Sequence, residues 1–149
     1  MAALSAALAA ALLEKLIPSP SATRRLRRMR RSCTELIRRD AQTFARVIQA
    51  TRARDRRAFL RLLKTAIDVP CRVFEQARAL HAQCHDAQRE VKPQFRSDLR
   101  CAMALASAAA DSARTLIETN LAWLNDPAFA ARIHRRMTNA GRPRNRRRR

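Results

Sequence analysis

Three residues in one short stretch have the types and spacing of metal ligands. His81, Cys84 and His85 stand at positions i, i+3 and i+4, so a helix would place their side chains on one face. Imidazole nitrogen and thiolate sulfur are ligands that zinc accepts. A structural or solvent-facing cluster is the alternative, and no fourth ligand stands nearby in the sequence. We therefore predict that the chain holds no metal.

The spacing of the cysteines does not favour redox or zinc chemistry either. The chain has four of them, and no pair forms a Cys-x-x-Cys motif: Cys33, Cys71, Cys84 and Cys101. We interpret them as reduced, partly buried residues on helices. Because a secreted protein would more often use its cysteines in disulfides, the pattern favours a cytoplasmic protein.

Arginine supplies nearly all of the positive charge. The formal net charge is +20, from 32 basic and 12 acidic residues, and a surface of that charge attracts anions. Six arginines crowd the start of one predicted helix: Arg24, Arg25, Arg27, Arg28, Arg30 and Arg31. A solvated helix face and a phosphate-binding stripe remain open as interpretations. Positive charge there opposes the helix dipole, so a bound anion would relieve a real cost.

The elements that must position these residues are helices. Alanine, leucine and arginine dominate the composition and favour helix strongly, and the chain contains a single glycine. We predict an all-α fold, an antiparallel bundle of about five helices, most of them long. One domain is predicted over residues 1–138, followed by a disordered arginine-rich tail over 139–149.

Apolar residues spaced by three and four define the helices. The predicted ranges are residues 1–16, 21–51, 55–89, 97–124 and 127–137. Pro70 falls inside the third range, so that helix either kinks or divides in two. Ser97 is the predicted N-cap of the fourth helix, and Asn125 and Asp126 are predicted to cap the fifth.

The alanine-rich opening of the chain needs separate consideration. Its apolar run ends at Glu14, short of the roughly 20 residues that a membrane span requires. No basic residue precedes the run, as a secretory signal would require. We therefore predict no membrane contact, which leaves a transit peptide or the first helix of the fold.

Four segments, in order, resemble the cyclodeaminase/cyclohydrolase family of folate enzymes. "NLAWLNDPAF" and the helix that opens with Ser97-Asp98 are similar to the family's C-terminal half, and "RRDAQTFARVIQA" and "AIDVPCRVFEQA" are similar to two earlier segments. The opening "AALSAALAAAL" resembles the family's first helix, which favours that interpretation of the opening. The Pro-Gly-Gly-Gly-Ser loop that precedes this helix in the family is missing before Met1. A late gene start and a genuine loss that impairs the enzyme are the two explanations.

The resemblance implies chemistry on formimino- or methenyltetrahydrofolate, by a cyclodeaminase or a cyclohydrolase with no tightly bound cofactor. A carboxylate near the cationic, amidine-like carbon of such a substrate would stabilise its charge and act as a base. This implies catalytic roles for Asp40 and Asp98, with a salt bridge or a helix-start charge as the alternatives. Ser97, Asn120 and Asp126 are the implied substrate-binding residues, and helix capping is the alternative for the last two.

The implied partners are a folate, with a polyglutamate tail suited to the basic surface, and a second copy of the chain. A rival hypothesis is a non-catalytic helical protein or scaffold. It would bind nucleic acid through the arginine-rich helix start and the tail, with an affinity that falls steeply as salt rises.

Overall fold

Five α-helices account for most of the chain. The computed structural model describes residues 1–140, and a 3₁₀ turn at Pro93–Phe95 precedes the fourth helix. The helices are α1 (Ala2–Leu16), α2 (Pro20–Arg52), α3 (Arg56–Ala87), α4 (Arg96–Leu124) and α5 (Pro127–Ala140). No strand occurs in the described range, so the predicted all-α fold is confirmed. Of the predicted tail, residues 139 and 140 belong to α5 and the rest lies outside the described residues.

The first four helices form a bundle in which sequence neighbours run antiparallel. α1 packs against α2 and α4, α3 packs against the same two helices, and α5 covers part of α3. α1 lies close to its neighbours because its inner face consists mostly of alanine, with six buried alanines between Ala2 and Ala10. No helix within residues 1–140 combines the length and the apolar character needed to cross a bilayer.

The fold decides two local predictions. α3 continues through Pro70 as one helix, so the predicted division into two helices is wrong, while the proline ring has no N–H to donate to the Ala66 carbonyl. The N-cap of α4 is Phe95, because the 3₁₀ turn leads directly into the helix at Arg96. Ser97 therefore lies inside the first turn, and its predicted capping role is wrong.

The predicted boundary between α4 and α5 is confirmed. Asn125 ends α4 in the left-handed conformation at φ 50°, which asparagine tolerates better than most residues. The Phe129 N–H donates to Asp126 Oδ1 at 3.0 Å and so caps the start of α5.

Polar contacts between neighbouring helices fix how far along the bundle each residue lies. Three of them set the register: Arg27 with Glu14 at 2.9 Å, Cys33 with Gln76 at 2.9 Å, and Lys64 with Asp126 at 3.2 Å. Because neighbouring helices are antiparallel, a step forward along one helix is level with a step backward along the next. Counted in this way from each pair, four residues lie at the same height along the bundle axis, to within about one helical turn: Met1, Asp40, Val69 and Asn120. The start of α1 therefore lies between Asp40 of α2 and Asn120 of α4.

Candidate functional site at the start of α1

Two of the predicted site residues face the same open end of the bundle. Asp40 follows Cys33 by seven positions, and Asn120 follows Ala113 by seven, which is close to two helical turns. Cys33 and Ala113 are fully buried, so Asp40 and Asn120 project toward the bundle axis. Asp40 is nevertheless exposed and Asn120 is half-buried. Both lie level with the first residues of α1, so the body of that helix does not cover them.

Two exposed aromatic side chains flank this opening. Phe44 lies one turn beyond Asp40 on α2 and is 65% exposed, and Trp123 lies one turn beyond Asn120 on α4 and is 64% exposed. Neither ring belongs to the hydrophobic core. Flat, exposed rings on two sides of an opening are suited to stacking against a planar heteroaromatic ligand.

The first turn of α1 adds backbone hydrogen-bond donors. The N–H groups of Leu4 and Ser5 donate to the Met1 carbonyl at 3.0 and 3.1 Å. The N–H groups of Ala2 and Ala3 precede the helical hydrogen-bond ladder and have no acceptor in it. Together with the positive end of the helix dipole, they favour an oxygen atom or an anion at this height.

Asp98 and Ser97 lie at a different height from this opening. Asp98 is 22 residues before Asn120 on α4, which corresponds to about 33 Å along the helix. It lies in the first turn of α4, where a carboxylate complements the helix dipole. A single chain therefore does not bring Asp98 and Asp40 together.

Asp126 has the capping role that was the alternative to ligand binding. Besides capping α5, its Oδ2 accepts a hydrogen bond from Lys64 Nζ at 3.2 Å. The backbone hydrogen bond from Phe129 and then the Lys64 contact lower the pKa of Asp126. Substrate binding by Asp126 stays a prediction.

The alternative role for Asp40 was a salt bridge to a neighbouring arginine. It does not occur among the described residues, because no ion pair there includes Asp40.

A network of charges between α3 and α5 was not predicted. Arg136 donates to Glu75 through Nε and Nη2, at 2.5 and 3.0 Å, and to Asp68 Oδ1 through Nη1 at 2.7 Å. Partial burial alone would raise the pKa of Asp68, but hydrogen bonds from Arg136 and Arg72 outweigh it and lower the pKa. The partners are more than sixty positions apart, so no local sequence pattern indicates the network.

A cavity of about 210 Å³ between α2 and α3 is lined by several arginines that were also not predicted as site residues. Arg39, Arg46 and Arg72 surround it, together with Gln42 and Thr43. Guanidinium groups in such numbers favour carboxylate or phosphate ligands. The buried residues Leu36 and Val69 also line this cavity, whereas Asp40 does not.

The His81, Cys84 and His85 cluster does not assemble a metal site within residues 1–140, where no three potential ligands come close enough together. Cys84 is fully buried and His85 is exposed, so the two side chains face different environments. Burial also raises the pKa of the Cys84 thiol to about 11, which disfavours the thiolate that a metal requires.

Residues 19–139 match the formiminotransferase-cyclodeaminase family. The chain belongs to this family. Among solved structures, formiminotetrahydrofolate cyclodeaminase from Thermotoga maritima is similar to this chain, with a TM-score of 0.85 and 18% sequence identity. The match covers 93% of this chain and 77% of that one, and at this identity it shows a shared fold. None of the curated proteins compared matches the chain. The resemblance of the four segments is thus confirmed at the level of family and fold.

Proposed function

We propose that the chain is an enzyme of folate one-carbon metabolism, a cyclodeaminase or a cyclohydrolase that acts on formimino- or methenyltetrahydrofolate. Family membership and the shared fold support the substrate class. One observation carries the location of the site: Asp40, Asn120, Phe44 and Trp123 converge at one height around the first turn of α1. The ligand suited to this arrangement has a planar heteroaromatic ring and a positively charged carbon.

The two reactions place similar demands on the carboxylate. In the deamination, a ring-closing nitrogen attacks the formimino carbon and ammonia leaves, whereas in the hydrolysis water attacks the methenyl carbon. In both, Asp40 stabilises the positive charge on that carbon and accepts the proton of the attacking group. Asn120 offers an amide to orient the reacting group, while Phe44 and Trp123 hold the pterin ring. This assignment uses no tightly bound cofactor.

The proposed enzyme is a homodimer, and one surface supports this. The first thirteen residues carry no charged side chain, and Leu4 and Leu8 of α1 are 43% and 48% exposed. Leu116 of α4 lies at the same height and is 44% exposed. On a chain of charge +20, this is a face where two copies can meet without bringing arginines together. Asp98 and Ser97 could join the site only from the second copy.

The decisive experiment replaces the carboxylate without changing its size. Asp40→Asn should lower kcat at least about 100-fold for whichever of the two substrates the full chain turns over, since general base catalysis contributes that much or more. Asp111→Asn is the matched control, because Asp111 is exposed on α4 and belongs to no ion pair within the described residues. Ammonia release and loss of methenyl absorbance are the two assays.

Two outcomes separate the parts of this proposal. If the unmodified chain turns over neither substrate, the proposed function is wrong. If Asp40→Asn and Asp111→Asn are equally active, the function stands and the site assignment is wrong.

A cytoplasmic location, predicted from the cysteines, would accord with folate chemistry and stays a prediction.

A further inference from the structure

The side of α2 that faces away from the bundle carries a row of arginines that the folate site does not use. Its members lie on one face of the helix and are all exposed, and we name them the α2 outer stripe: Arg24, Arg28, Arg31, Arg38 and Arg52. The stripe runs for about 42 Å along the helix. A row of charges of this length fits an extended polyanion better than a small anion.

The arginines at the start of α2 divide into two groups with different partners. Arg27 and Arg30 turn toward α1, where they donate to the carboxylate of Glu14 at 2.9 and 3.2 Å. Of the stripe, only Arg38 has a carboxylate partner within residues 1–140, which is Glu35 at 2.7 Å. The first group stabilises the packing of α1 on α2, whereas the four stripe arginines other than Arg38 present uncompensated charge to solvent.

The residues between the stripe arginines indicate which polyanion it fits. Gln42, Ala45 and Gln49 occupy the same face between Arg38 and Arg52, so this half of the stripe has neither acidic groups nor aromatic rings, and Glu35, the partner of Arg38, is the acidic residue on the face before it. Proteins that bind single strands without sequence preference rely on aromatic rings that stack with the bases. A duplex instead presents phosphates in long regular rows, and arginine binds their oxygens in pairs.

We propose that the α2 outer stripe binds the phosphate backbone of double-stranded nucleic acid, independently of sequence. This property goes beyond folate chemistry and leaves the opening at the start of α1 free. Five phosphate contacts would give a slope of about −4.5 for log affinity against log salt, and each arginine removed would reduce its magnitude by about 0.9. Residues 141–149 add six further arginines, so variants are best compared in the full chain.

The test uses two triple variants that lose the same charge. One is Arg24→Gln, Arg28→Gln and Arg31→Gln. The control is Arg89→Gln, Arg96→Gln and Arg100→Gln, three exposed arginines near the junction of α3 and α4 that have no ion pair within the described residues. Fluorescence anisotropy would measure binding to a duplex of about 20 base pairs, longer than the stripe at about 3.4 Å per base pair.

We expect the stripe variant to lose at least about tenfold in duplex affinity at about 100 mM salt, with a slope smaller by about 2.7. The control should lose less than about threefold, and Arg52→Gln alone should reduce the slope by about 0.9. Equal losses in the two triple variants would overturn the proposal in favour of net charge alone. Absence of duplex binding by the unmodified chain would overturn it too, as would tighter binding of a single strand of the same length or equal competition by polyglutamate.

The folate assay keeps this proposal distinct from the proposed function. The stripe variant should retain the turnover of the unmodified chain while it loses the duplex. Loss of both from a variant whose circular dichroism is unchanged would contradict the separation of the two surfaces.

Discussion

Asp40 and Asn120 lie at one height on opposite sides of the first turn of α1, although they are eighty positions apart in the chain. Each follows a fully buried residue by about two turns, so each points inward at the level where the core ends. A carboxylate and an amide that face the start of a helix from two sides can act on one ligand. The geometry of this opening supports predictions that are the same for either of the two proposed folate reactions.

Asn120→Ala should raise KM and lower kcat while it leaves the fold intact. The side chain is half-buried and forms no hydrogen bond with another described residue, so its loss leaves no described partner unsatisfied. The measurement is steady-state kinetics with thermal unfolding of the same sample. Asn139→Ala, an exposed position on α5, is the matched control. Unchanged kinetics in Asn120→Ala would remove that residue from the site.

Phe44 and Leu26 provide a paired test of where the core ends. They are eighteen residues apart on α2, which is five full turns, so they point in the same direction. Leu26 is fully buried, and Leu26→Ala should lower the free energy of unfolding by about 3 kcal/mol. Phe44→Ala should lower it by less than about 0.5 kcal/mol but should raise KM. Chemical denaturation measures both, and a large loss of stability in Phe44→Ala would show that the ring is buried.

This pair also shows what the sequence could and could not predict. Local chemistry indicated the helix boundaries, because Pro18 and Pro20 interrupt one helix and Asn125 and Asp126 begin another. The spacing of Phe44 is that of a core residue, yet its side chain is 65% exposed, because it lies beyond the height at which α1 packs on α2. The height of Asp40 beside Asn120 likewise depends on the register of four packed helices, which no single segment encodes.

The Arg136 network should make stability depend on pH. The pKa of Asp68 is lowered below its usual value near 3.8, so its stabilising effect is present above that pH and is lost as pH falls through the lowered value. Arg136→Met should therefore destabilise the chain at neutral pH and have a much smaller effect once the pH is below the lowered pKa of Asp68. Urea unfolding at both pH values measures this. Arg135→Met is the control because Arg135 is exposed and unpaired within residues 1–140, and a pH-independent effect of Arg136→Met would contradict the ion-pair explanation.

The four thiols should differ in reactivity. Cys33, Cys71 and Cys84 are buried, and burial is the main cause that raises each pKa to about 11. Cys101 is exposed on α4. Iodoacetamide at about pH 8 should thus label one thiol quickly and the others only after unfolding. Mass spectrometry of the intact chain counts the labels, and Cys101→Ser should abolish the fast phase. Rapid labelling of two or more thiols in the folded chain would contradict the described core.

The uncharged face of α1 should determine the oligomeric state. Analytical ultracentrifugation of the unmodified chain should give twice the mass of the 17.0 kDa chain, because Leu4, Leu8 and Leu116 would be covered by a second copy. Leu8→Lys should shift the chain to monomer, since it places an unpaired charge in that interface. Ala82→Lys adds the same charge at an exposed position on α3 and should leave the mass unchanged.

Turnover of the Leu8→Lys monomer then tests the role of Asp98. If Asp98 acts from the second copy, the monomer should lose as much activity as Asp98→Asn does in the dimer, and combining the two changes should cause no further loss. A monomer that retains full turnover would confine the reaction to the opening beside Asp40. In that case Asp98 would serve only as the charge that favours the start of α4.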